Sequence, residues 1–551
     1  MASDLLNIAR NGVQTSQAQL AVTSNNIANA NTVGYHRQVA TQSSLDSFQA
    51  GNISFGSGSY ISDVKRIYND FAARELRIGQ TGLSEAETKF SKLSSLDQLY
   101  SQSGKAVPSG LNDFYAQLNS LADLPDDLGV RSTVLSSANN LANSVNQMQK
   151  SLNGEMSQTN DQIKGITDRI NELSSAIGSI NRELMESGGD DSQLLDRQDA
   201  LIQELSLYAE VNVIPLETGA KSVMLGGSVM LVSGEVSMQV GTKQGDPFPQ
   251  EPQLIATSGD HEIKLSGANL GGQLGALFEY RDETLVSAQQ ELGQFALGVA
   301  DAFNQAQANG FDLNGQVGQN IFTDINDPLI SAGRVGALSD NTGSANLSVD
   351  ISNTGELTGS TYQLDFTTSG GYTLTDDKGN ETTLTLNAAG DQLTGADGFS
   401  INIDTGTVAD GDSFEIRPTA DAAAGFKVEL TDPEGIAAAG SSTTGAGDNT
   451  NALEMATLSE AQTMNGGKSS FIDVYEGTKL EIGSQTKGAE TRLASATSVF
   501  QQAESRVQSE SGVNLDEEAA NLLRFQQSYQ ASARIMTTSQ QIFDTLLSAV
   551  N

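Results

Sequence analysis

The apolar residues near the end of the chain recur at alternating spacings of three and four positions. Between Asn514 and the last residue they are Leu522, Phe525, Tyr529, Met536, Phe543, Leu546 and Val550. Ser532 and Ser539 occupy the two remaining positions of the pattern, and no Gly or Pro interrupts it. This heptad repeat predicts one long helix whose narrow seam packs against a partner helix.

A second stretch with the same pattern lies at the start of the chain, from Asp4 to Ala30. Its three-four alternation consists of Leu6, Ala9, Val13, Ser16, Leu20, Thr23 and Ile27. Ser3 or Asp4 is available as the N-cap of a helix there. Because both seams have the same period and the same lightly filled character, we predict that the chain ends pair with each other and with copies of themselves. The alternative is two independent surface helices.

The first helix is predicted to end in an Asn-rich stretch, since residues 25–35 read NNIANANTVGY. Asn tolerates, and Gly favours, the left-handed backbone conformation that ends helices. The polar and turn residues of interest here are Asn25, Asn26, Asn29, Asn31, Gly34 and Tyr35. Their amides can cap the helix end or bridge to a neighbouring chain, and both interpretations remain open.

The middle of the chain alternates between helical and strand periodicity, which predicts an α+β multidomain fold. Pro108 and Pro125 divide a helical bundle into several helices, and Gly188 marks a further turn. Paired terminal helices, the bundle and inserted antiparallel β domains make up the predicted architecture. The predicted domains are a terminal helical unit with an irregular linker over residues 35–66 (1–66 and 509–551), a helical bundle (67–210, 272–310 and 451–508), a small β unit (211–271) and an outer β insertion (311–450).

Composition and charge narrow the range of partners. The 551 residues include 30 basic and 68 acidic ones, for a net charge of -38, which disfavours nucleic acid and anionic membranes as partners. The two ends, residues 1–40 and 515–551, are nearly neutral, so the acidic excess lies in the middle. Cys is absent, which excludes disulfides and thiol chemistry. No stretch approaches roughly 18 consecutive apolar residues, so we predict a soluble protein without an ordinary cleaved signal.

The candidate motifs for catalysis are incomplete. His36 and His261 are the two imidazoles of the chain. His261 and the Glu after it begin like a zinc-protease motif, but Leu265 stands where the second ligand is required. Residues 466–469, GGKS, resemble the end of a phosphate-binding loop, but Gln462 replaces the Gly that the loop needs. We therefore expect no enzyme and no cofactor.

The glycine-rich and acidic turns lead to the same expectation. Residues 56–58 and 445–447 lack the third Gly of a dinucleotide-binding loop. The acidic turns at residues 312–315 and 376–377 lack the spaced carboxylates and terminal Glu of a calcium loop. Ordinary turn chemistry explains them without a metal.

Both ends of the chain resemble one known family. Residues 25–38, NNIANANTVGYHRQ, resemble the N-terminal signature of the bacterial flagellar rod, hook and hook-associated axial proteins. Residues 513–547, which contain VNLDEE and QSYQAS, resemble their C-terminal signature. His36 and Ser532 depart from the hook and rod members and are closer to the hook-associated members at the junction of hook and filament. The flagellin N-terminal signature is absent.

The resemblance implies a non-enzymatic structural subunit at the junction between hook and filament, outside the cell. It implies export through the flagellar type III channel, with a cytoplasmic chaperone and without a cleaved signal. The implied partners are copies of itself in a short ring, hook protein below, and a second junction protein and the filament above. Terminal helices would form the inner tube, with a helical domain and β domains outside it.

The expected assembly interface consists of the two seams and the Asn-rich stretch. Its residues are Leu6, Val13, Leu20, Asn25, Asn26, Ile27, Asn29, Asn31, Gly34, Tyr35, Leu522, Phe525, Tyr529, Met536, Phe543 and Leu546. One alternative function is another axial subunit, from the hook or the distal rod. The other is a surface adhesin or hydrolase activity on the β insertion.

Overall fold

The computed structural model describes residues 2–32, 34–50, 53–227, 229–259 and 261–550. Helices lie at both ends of this chain, and antiparallel sheets interrupt the helical middle. The predicted α+β multidomain class is therefore confirmed.

A helix and two antiparallel strand pairs form the start of the chain. They are α1 (Ala2–Ala28), β1 (Gln38–Ser44), β2 (Phe48–Ala50), β3 (Ile53–Phe55) and β4 (Ser59–Arg66). Strand β1 pairs with β4, with one register shift after Thr41, and β2 pairs with β3. The predicted irregular linker over residues 35–66 is therefore wrong. Strands β1 and β4 carry few large apolar residues, and they pack against α1 instead of forming a core of their own.

Four helices follow. They are α2 (Asp70–Gln102), α3 (Ala106–Asp123), α4 (Leu128–Ser187) and α5 (Ser192–Tyr208). Side chains of Asn69, Asp127 and Asp191 accept backbone hydrogen bonds at the starts of α2, α4 and α5. The chain breaks just before Pro108, which lies in the first turn of α3, and again at Pro125.

Two small antiparallel sheets come next. Their strands are β5 (Val211–Pro215), β6 (Lys221–Leu225), β7 (Val229–Ser233), β8 (Val236–Ser237), β9 (Gln239–Lys243), β10 (Gln253–Ser258) and β11 (His261–Leu265). The first sheet has the order β5-β6-β7-β8 and the second the order β11-β10-β9. The chain then returns to helix in α6 (Gly272–Glu279), a π-helical segment (Tyr280–Leu285) and α7 (Val286–Asn309).

The outer β region is one antiparallel sheet of eight strands, flanked by two short helices. Its elements are α8 (Pro328–Gly333), β12 (Val335–Ala337), β13 (Asn346–Ile351), β14 (Tyr362–Thr367), β15 (Gly371–Asp376), β16 (Glu381–Leu386), β17 (Gln392–Thr394), β18 (Phe399–Thr405), β19 (Ser413–Ile416) and α9 (Ala422–Gly425). The strand order is β12-β19-β14-β15-β16-β17-β18-β13. Because the two edge strands contact each other, the sheet curls around its own apolar core.

The chain ends in three helices, α10 (Thr450–Thr457), α11 (Phe471–Ser511) and α12 (Leu515–Val550). Ser470 and Asp473 form a capping box at the start of α11. Helix α11 runs antiparallel to α2, as shown by the ion pair between Arg506 and Glu75 and the contact between Tyr475 and Tyr100.

The helical middle, here called the helical body, consists of α2–α7, α10 and most of α11, together with the strands and loops whose apolar residues, such as Phe322, pack against these helices. It contains two of the three hydrophobic clusters of the described chain. Phe114, Phe303 and Phe322 lie at the centre of the larger one, with ring centroids of Phe114 and Phe303 4.9 Å apart. In a chain without Trp, such edge-to-face Phe contacts supply much of the aromatic packing.

Candidate assembly site at the joined chain ends

Helices α1 and α12 pack side by side in opposite directions. Ser16 Oγ donates a hydrogen bond to Ser528 Oγ at 3.1 Å. Farther along α1, and nearer to the start of α12, Asn26 Nδ2 donates to Glu518 Oε2 at 3.2 Å. The predicted pairing of the chain ends is therefore confirmed within a single chain.

The seam of α12 follows the predicted heptad positions. Leu522, Phe525, Tyr529 and Met536 are half-buried, and Ser539 is 3% exposed. Beyond these positions Phe543 is 50% exposed. The side chains of Leu546 and Val550 lie outside the described residues, and so does Val33. The pairing thus covers α12 up to Ser539.

The seam of α1 places its large residues beside small ones. Leu6, Val13, Leu20 and Ile27 are all half-buried. The small residues between them are more deeply covered, and Ala9 and Ser16 are each 2% exposed.

The two helices approach each other closely at Gly12. A Cβ atom on Gly12 would lie 2.7 Å from Ser532 Oγ. Small residues at Gly12 and Ser532 therefore suit the close contact of the two helices at this point.

Asn26 joins three parts of the terminal unit inside the chain. Its side chain is 1% exposed. Its Nδ2 donates to Gln38 O at 2.9 Å, and its Oδ1 accepts from Gln38 N at 2.9 Å. The carboxamide thus pairs with the start of β1 as a neighbouring strand would, while it also bonds Glu518. This geometry favours the internal interpretation for Asn26 over a direct bridge to another copy.

Tyr35 extends this network. Its hydroxyl donates to Asn26 Oδ1 at 2.8 Å and accepts from Asn25 Nδ2 at 3.4 Å. Burial, helped by the charges of Asp196 and Glu518, raises the pKa of Tyr35 to about 12. The tyrosine therefore stays neutral and retains its hydroxyl proton at physiological pH.

The remaining residues of the Asn-rich stretch differ in their surroundings. Asn29 Nδ2 donates to the backbone oxygen of Asn25 at 3.0 Å, which caps the end of α1. Gly34 has φ 81° and lies against Ala200 of α5. Asn31 is exposed. Of the expected interface residues in this stretch, Asn31 is the most available to a partner.

Arg37 ties the same turn to the start of α12. Its Nε lies 2.8 Å from Glu518 Oε1, and its Nη1 lies 3.3 Å from Glu517 Oε2. Its backbone N–H donates to Ser511 O at 3.0 Å. Glu518, which is 1% exposed, thereby has both a charged partner and the amide of Asn26, as a buried carboxylate requires.

A buried charge cluster, here called the joint, attaches the terminal unit to the helical body. It consists of His36, Arg66, Tyr68, Asp196, Asp199 and Lys221. His36 Nδ1 lies 2.8 Å from Asp196 Oδ1, and the same Arg66 nitrogen lies 2.9 Å from Asp196 and 2.7 Å from Asp199. Both carboxylates belong to α5, whereas His36 lies just before β1 and Arg66 is the last residue of β4.

Electrostatics within the joint favour the charged forms of Arg66 and Asp199. Burial by itself would lower the pKa of Arg66, but Asp199 and Asp196 outweigh it and raise that pKa. Burial would likewise raise the pKa of Asp199, but Lys221 and Arg66 lower it. The guanidinium of Arg66 also lies 4.4 Å from the ring centroid of Tyr68. Sequence reasoning missed the joint, because its partners are far apart in the chain and no local pattern links them.

The motifs dismissed for chemistry lie in ordinary structure. His261 begins the exposed strand β11 and not a helix. The Oδ1 atom of Asp312 accepts from the backbone of Asn314 and Gln316, and Asp376 does the same for Lys378 and Asn380. Both are Asx-type turns, in which the carboxylate is occupied by backbone donors.

The described part of the chain has neither a bilayer-spanning helix nor a metal-type cluster of side chains. Within residues 2–32, 34–50, 53–227, 229–259 and 261–550, none of the helices is long and apolar enough to span a bilayer. In those residues no group of three or more His, Asp or Glu side chains has the arrangement of a metal site.

Four family models match different parts of the chain. The helical domain of the flagellar hook-associated protein FlgK matches residues 93–322, and the D2-like domain of flagellar hook-associated protein 1 matches residues 337–418. The flagella basal body rod protein model matches residues 6–36. The C-terminal model of the flagellar basal body rod FlgEFG proteins matches residues 504–549.

Known proteins similar over their full length agree with these matches. Flagellar hook-associated protein 1 of Escherichia coli (strain K12) is 30% identical over 99% of both chains. That of Bacillus subtilis (strain 168) is 25% identical over 99% of this chain and 98% of its own. The solved structure of the flagellar hook junction protein FlgK from Burkholderia pseudomallei has a TM-score of 0.73 at 23% identity, covering 79% of this chain and all of that one.

Proposed function

The chain belongs to the flagellar hook-associated protein 1 family, and we propose on this premise that its α1–α12 pair is the surface through which subunits assemble. As a member of the family it is a structural subunit of the junction between hook and filament, in the part of the flagellum outside the cell. The family thus gives the setting, and the residues of the pair supply the contacts.

The observation that carries the proposal is the apolar surface left over once α1 and α12 have paired. Ile535 and Ile542, one heptad apart on α12, are 46% and 43% exposed. They lie on α12 beside the covered seam, next to the exposed Phe543. Exposed apolar side chains that recur along one side of a long helix form a stripe whose burial by another chain is favourable. Copies of the same pair supply such a cover.

The assembled state follows from the same surface. We infer a ring of copies in which terminal helix pairs line the inside, the helical body surrounds them and the β regions lie outermost. Hook protein would contact one side of the ring, and a second junction protein with the filament the other. The acidic middle then faces solvent, and the nearly neutral ends pack together.

Removal of α12 tests the proposal. A variant that lacks residues 515–551 should keep the helical body folded, as measured by circular dichroism and thermal unfolding. It should not join hook to filament in a motility complementation assay or in electron micrographs of isolated flagella. If the truncated subunit still connects hook to filament, the proposal is wrong.

Matched point variants locate the contact more finely. Ile542→Asp places a charge in the uncovered stripe of α12 and should abolish assembly while the monomer still folds. Leu480→Asp is the control, because Leu480 is 72% exposed on α11, outside the terminal pair. Equal loss of junction formation in both variants would contradict a contact specific to α12.

Export is the second part of the proposal. We infer that the subunit leaves the cell through the flagellar type III channel with a cytoplasmic chaperone and without a cleaved signal. The sparse seams suit a segment that stays unfolded during export and folds on assembly. N-terminal sequencing of the subunit from isolated flagella should find Asp4 and the residues after it intact. A subunit that starts well inside α1 would overturn this part.

A further inference from the structure

A polar level separates the two hydrophobic clusters of the helical body. Helix α4 contributes Met156 to the first cluster and Ile163 to the second. Between them, residues 157–162 read SQTNDQ and contain no apolar side chain. The inward position in this interval is Thr159, which is 0% exposed. The long helix therefore crosses from one core to the other through a polar zone.

Two other elements place polar groups at the same level. Lys92 of α2 is 7% exposed, directly before Leu93 of the first cluster. Its Nζ lies 3.7 Å from Glu155 Oε2 and 5.7 Å from the ring centroid of Tyr280. Tyr280 is 0% exposed and begins the π-helical segment. We call Lys92, Glu155, Thr159 and Tyr280 the polar layer.

Three atoms of the polar layer are buried without a hydrogen-bond partner in the protein. They are Glu155 Oε2, Thr159 Oγ1 and Tyr280 Oη. Comparable groups elsewhere are bonded: Thr167 Oγ1 donates to Lys164 O at 2.7 Å, and Tyr475 Oη donates to Gly104 O at 2.9 Å. Buried polar groups are nearly always hydrogen-bonded, so the polar layer requires donors and acceptors from outside the chain.

We propose that the polar layer is an internal hydration site, in which water molecules bridge Lys92 Nζ, Glu155 Oε2, Thr159 Oγ1 and Tyr280 Oη. The ammonium and carboxylate offset each other, so the layer has no net charge to select an anion or a cation. Water matches the mixture, because it donates to the carboxylate and accepts from the ammonium and the hydroxyls.

Solvent has a route to this site. A surface cleft of about 420 Å³ lies between α2, α4 and α6, and Lys92 is part of its wall. Gln162, Gly165 and Gln273 line the same cleft. Lys92 thus borders the cleft and also lies near the ring of the buried Tyr280, so the cleft is the side from which bound water can exchange with bulk solvent.

Oxygen-17 magnetic relaxation dispersion on the full-length protein counts long-lived internal waters and tests the proposal. Thr159→Val and Tyr280→Phe each remove one bridging hydroxyl with almost no change of shape, and together they should lower the count by at least one. Thr167→Val and Tyr475→Phe are the matched controls, and they should leave the count unchanged.

Thermal unfolding gives an independent readout. If water bridges the layer, Thr159→Val and Tyr280→Phe lose hydrogen bonds and lower the melting temperature, as the two control variants do. If the layer is dry, removing an unpaired hydroxyl raises the melting temperature. An unchanged water count, or a melting temperature raised by both layer variants, would overturn the proposal.

Discussion

The helical body and the terminal helix pair use the same residue type in different ways. In the body, Phe114, Phe303 and Phe322 are fully buried and contact one another. In the pair, Phe525 is only half-buried and Phe543 is 50% exposed. The body therefore completes its core within one chain, whereas the pair leaves apolar surface that other copies can bury.

The polar contacts of the terminal pair are the second feature of this comparison. The pair is held by a few specific bonds, such as those of Asn26 and the one between Ser16 and Ser528. The hydrogen bonds fix the register of α1 on α12, and we expect assembly to add the apolar burial that stabilises the pair.

The largest effect is expected from a cavity in the body. Phe114→Ala removes a fully buried ring from the centre of the first cluster and should destabilise the body by about 3–5 kcal/mol. Phe543→Ala, at a half-exposed site of α12, should change monomer unfolding by less than about 1 kcal/mol. Denaturant unfolding of both variants checks this contrast. Equal destabilisation would show that the two regions are packed alike.

The next effect concerns the internal role of Asn26. Asn26→Ala removes its bonds to Gln38, Tyr35 and Glu518 and should loosen α1 and β1 by about 1–3 kcal/mol. Hydrogen exchange measured peptide by peptide should become faster in α1 and β1 and stay unchanged in the helical body. Asn31→Ala is the control, since Asn31 is exposed in the same stretch. Similar exchange in both variants would contradict the internal role.

Glycine substitutions test the close approach directly. Gly12→Ala should weaken the pair because its Cβ would lie 2.7 Å from Ser532 Oγ, and adding Ser532→Gly should restore it. Gly82→Ala in α2 has open space around it and should stabilise by about 0.5–1 kcal/mol through better helix propensity. Thermal unfolding and hydrogen exchange measure both. A neutral Gly12→Ala would argue against tight contact.

The smallest effect is a pH response confined to the body. Burial, together with Glu481, raises the pKa of Glu291 on α7, although a hydrogen bond with Thr478 opposes the shift. A carboxyl with a raised pKa in the folded state contributes full stability below its ordinary pKa of about 4.3 and loses it as pH rises through the folded pKa.

Glu291→Gln should therefore raise the melting temperature of the body at pH 7 by about a degree or two. The gain should vanish near pH 4, where the wild-type carboxyl is protonated. Unfolding scans at the two pH values check this, with the solvent-exposed Glu454→Gln as control. A gain of equal size at both pH values would mean that the effect is not due to ionisation of Glu291.

Local periodicity predicted the two terminal helices on which the proposed assembly site lies. The seam positions Leu522, Phe525, Tyr529 and Met536 are half-buried, as expected where a heptad repeat determines which side of a helix is covered. The hairpin of β1 and β4 was missed, since its support comes from α1 and not from its own side chains. Side-chain contacts between residues that are far apart in the sequence leave no periodic pattern from which they could be predicted.

The joint and the role of Asn26 illustrate this limit. Arg66 meets Asp196 and Asp199 across 130 residues or more of intervening sequence, and Asn26 meets Glu518 from the opposite chain end. Both contacts require the tertiary fold before they exist. The Asn-rich stretch could be identified as special from its sequence, but its inward direction could not.

We propose that α1 and α12 form an incomplete pair that assembly completes. Hydrogen exchange measured on the free subunit and on the subunit in isolated flagella tests this proposal. We expect amides of α1 and α12 in the soluble subunit to exchange much faster than those of α4 around Leu141, and to become protected by about 100-fold or more in isolated flagella. Terminal helices that are as protected in the free subunit as in the flagellum would contradict the claim.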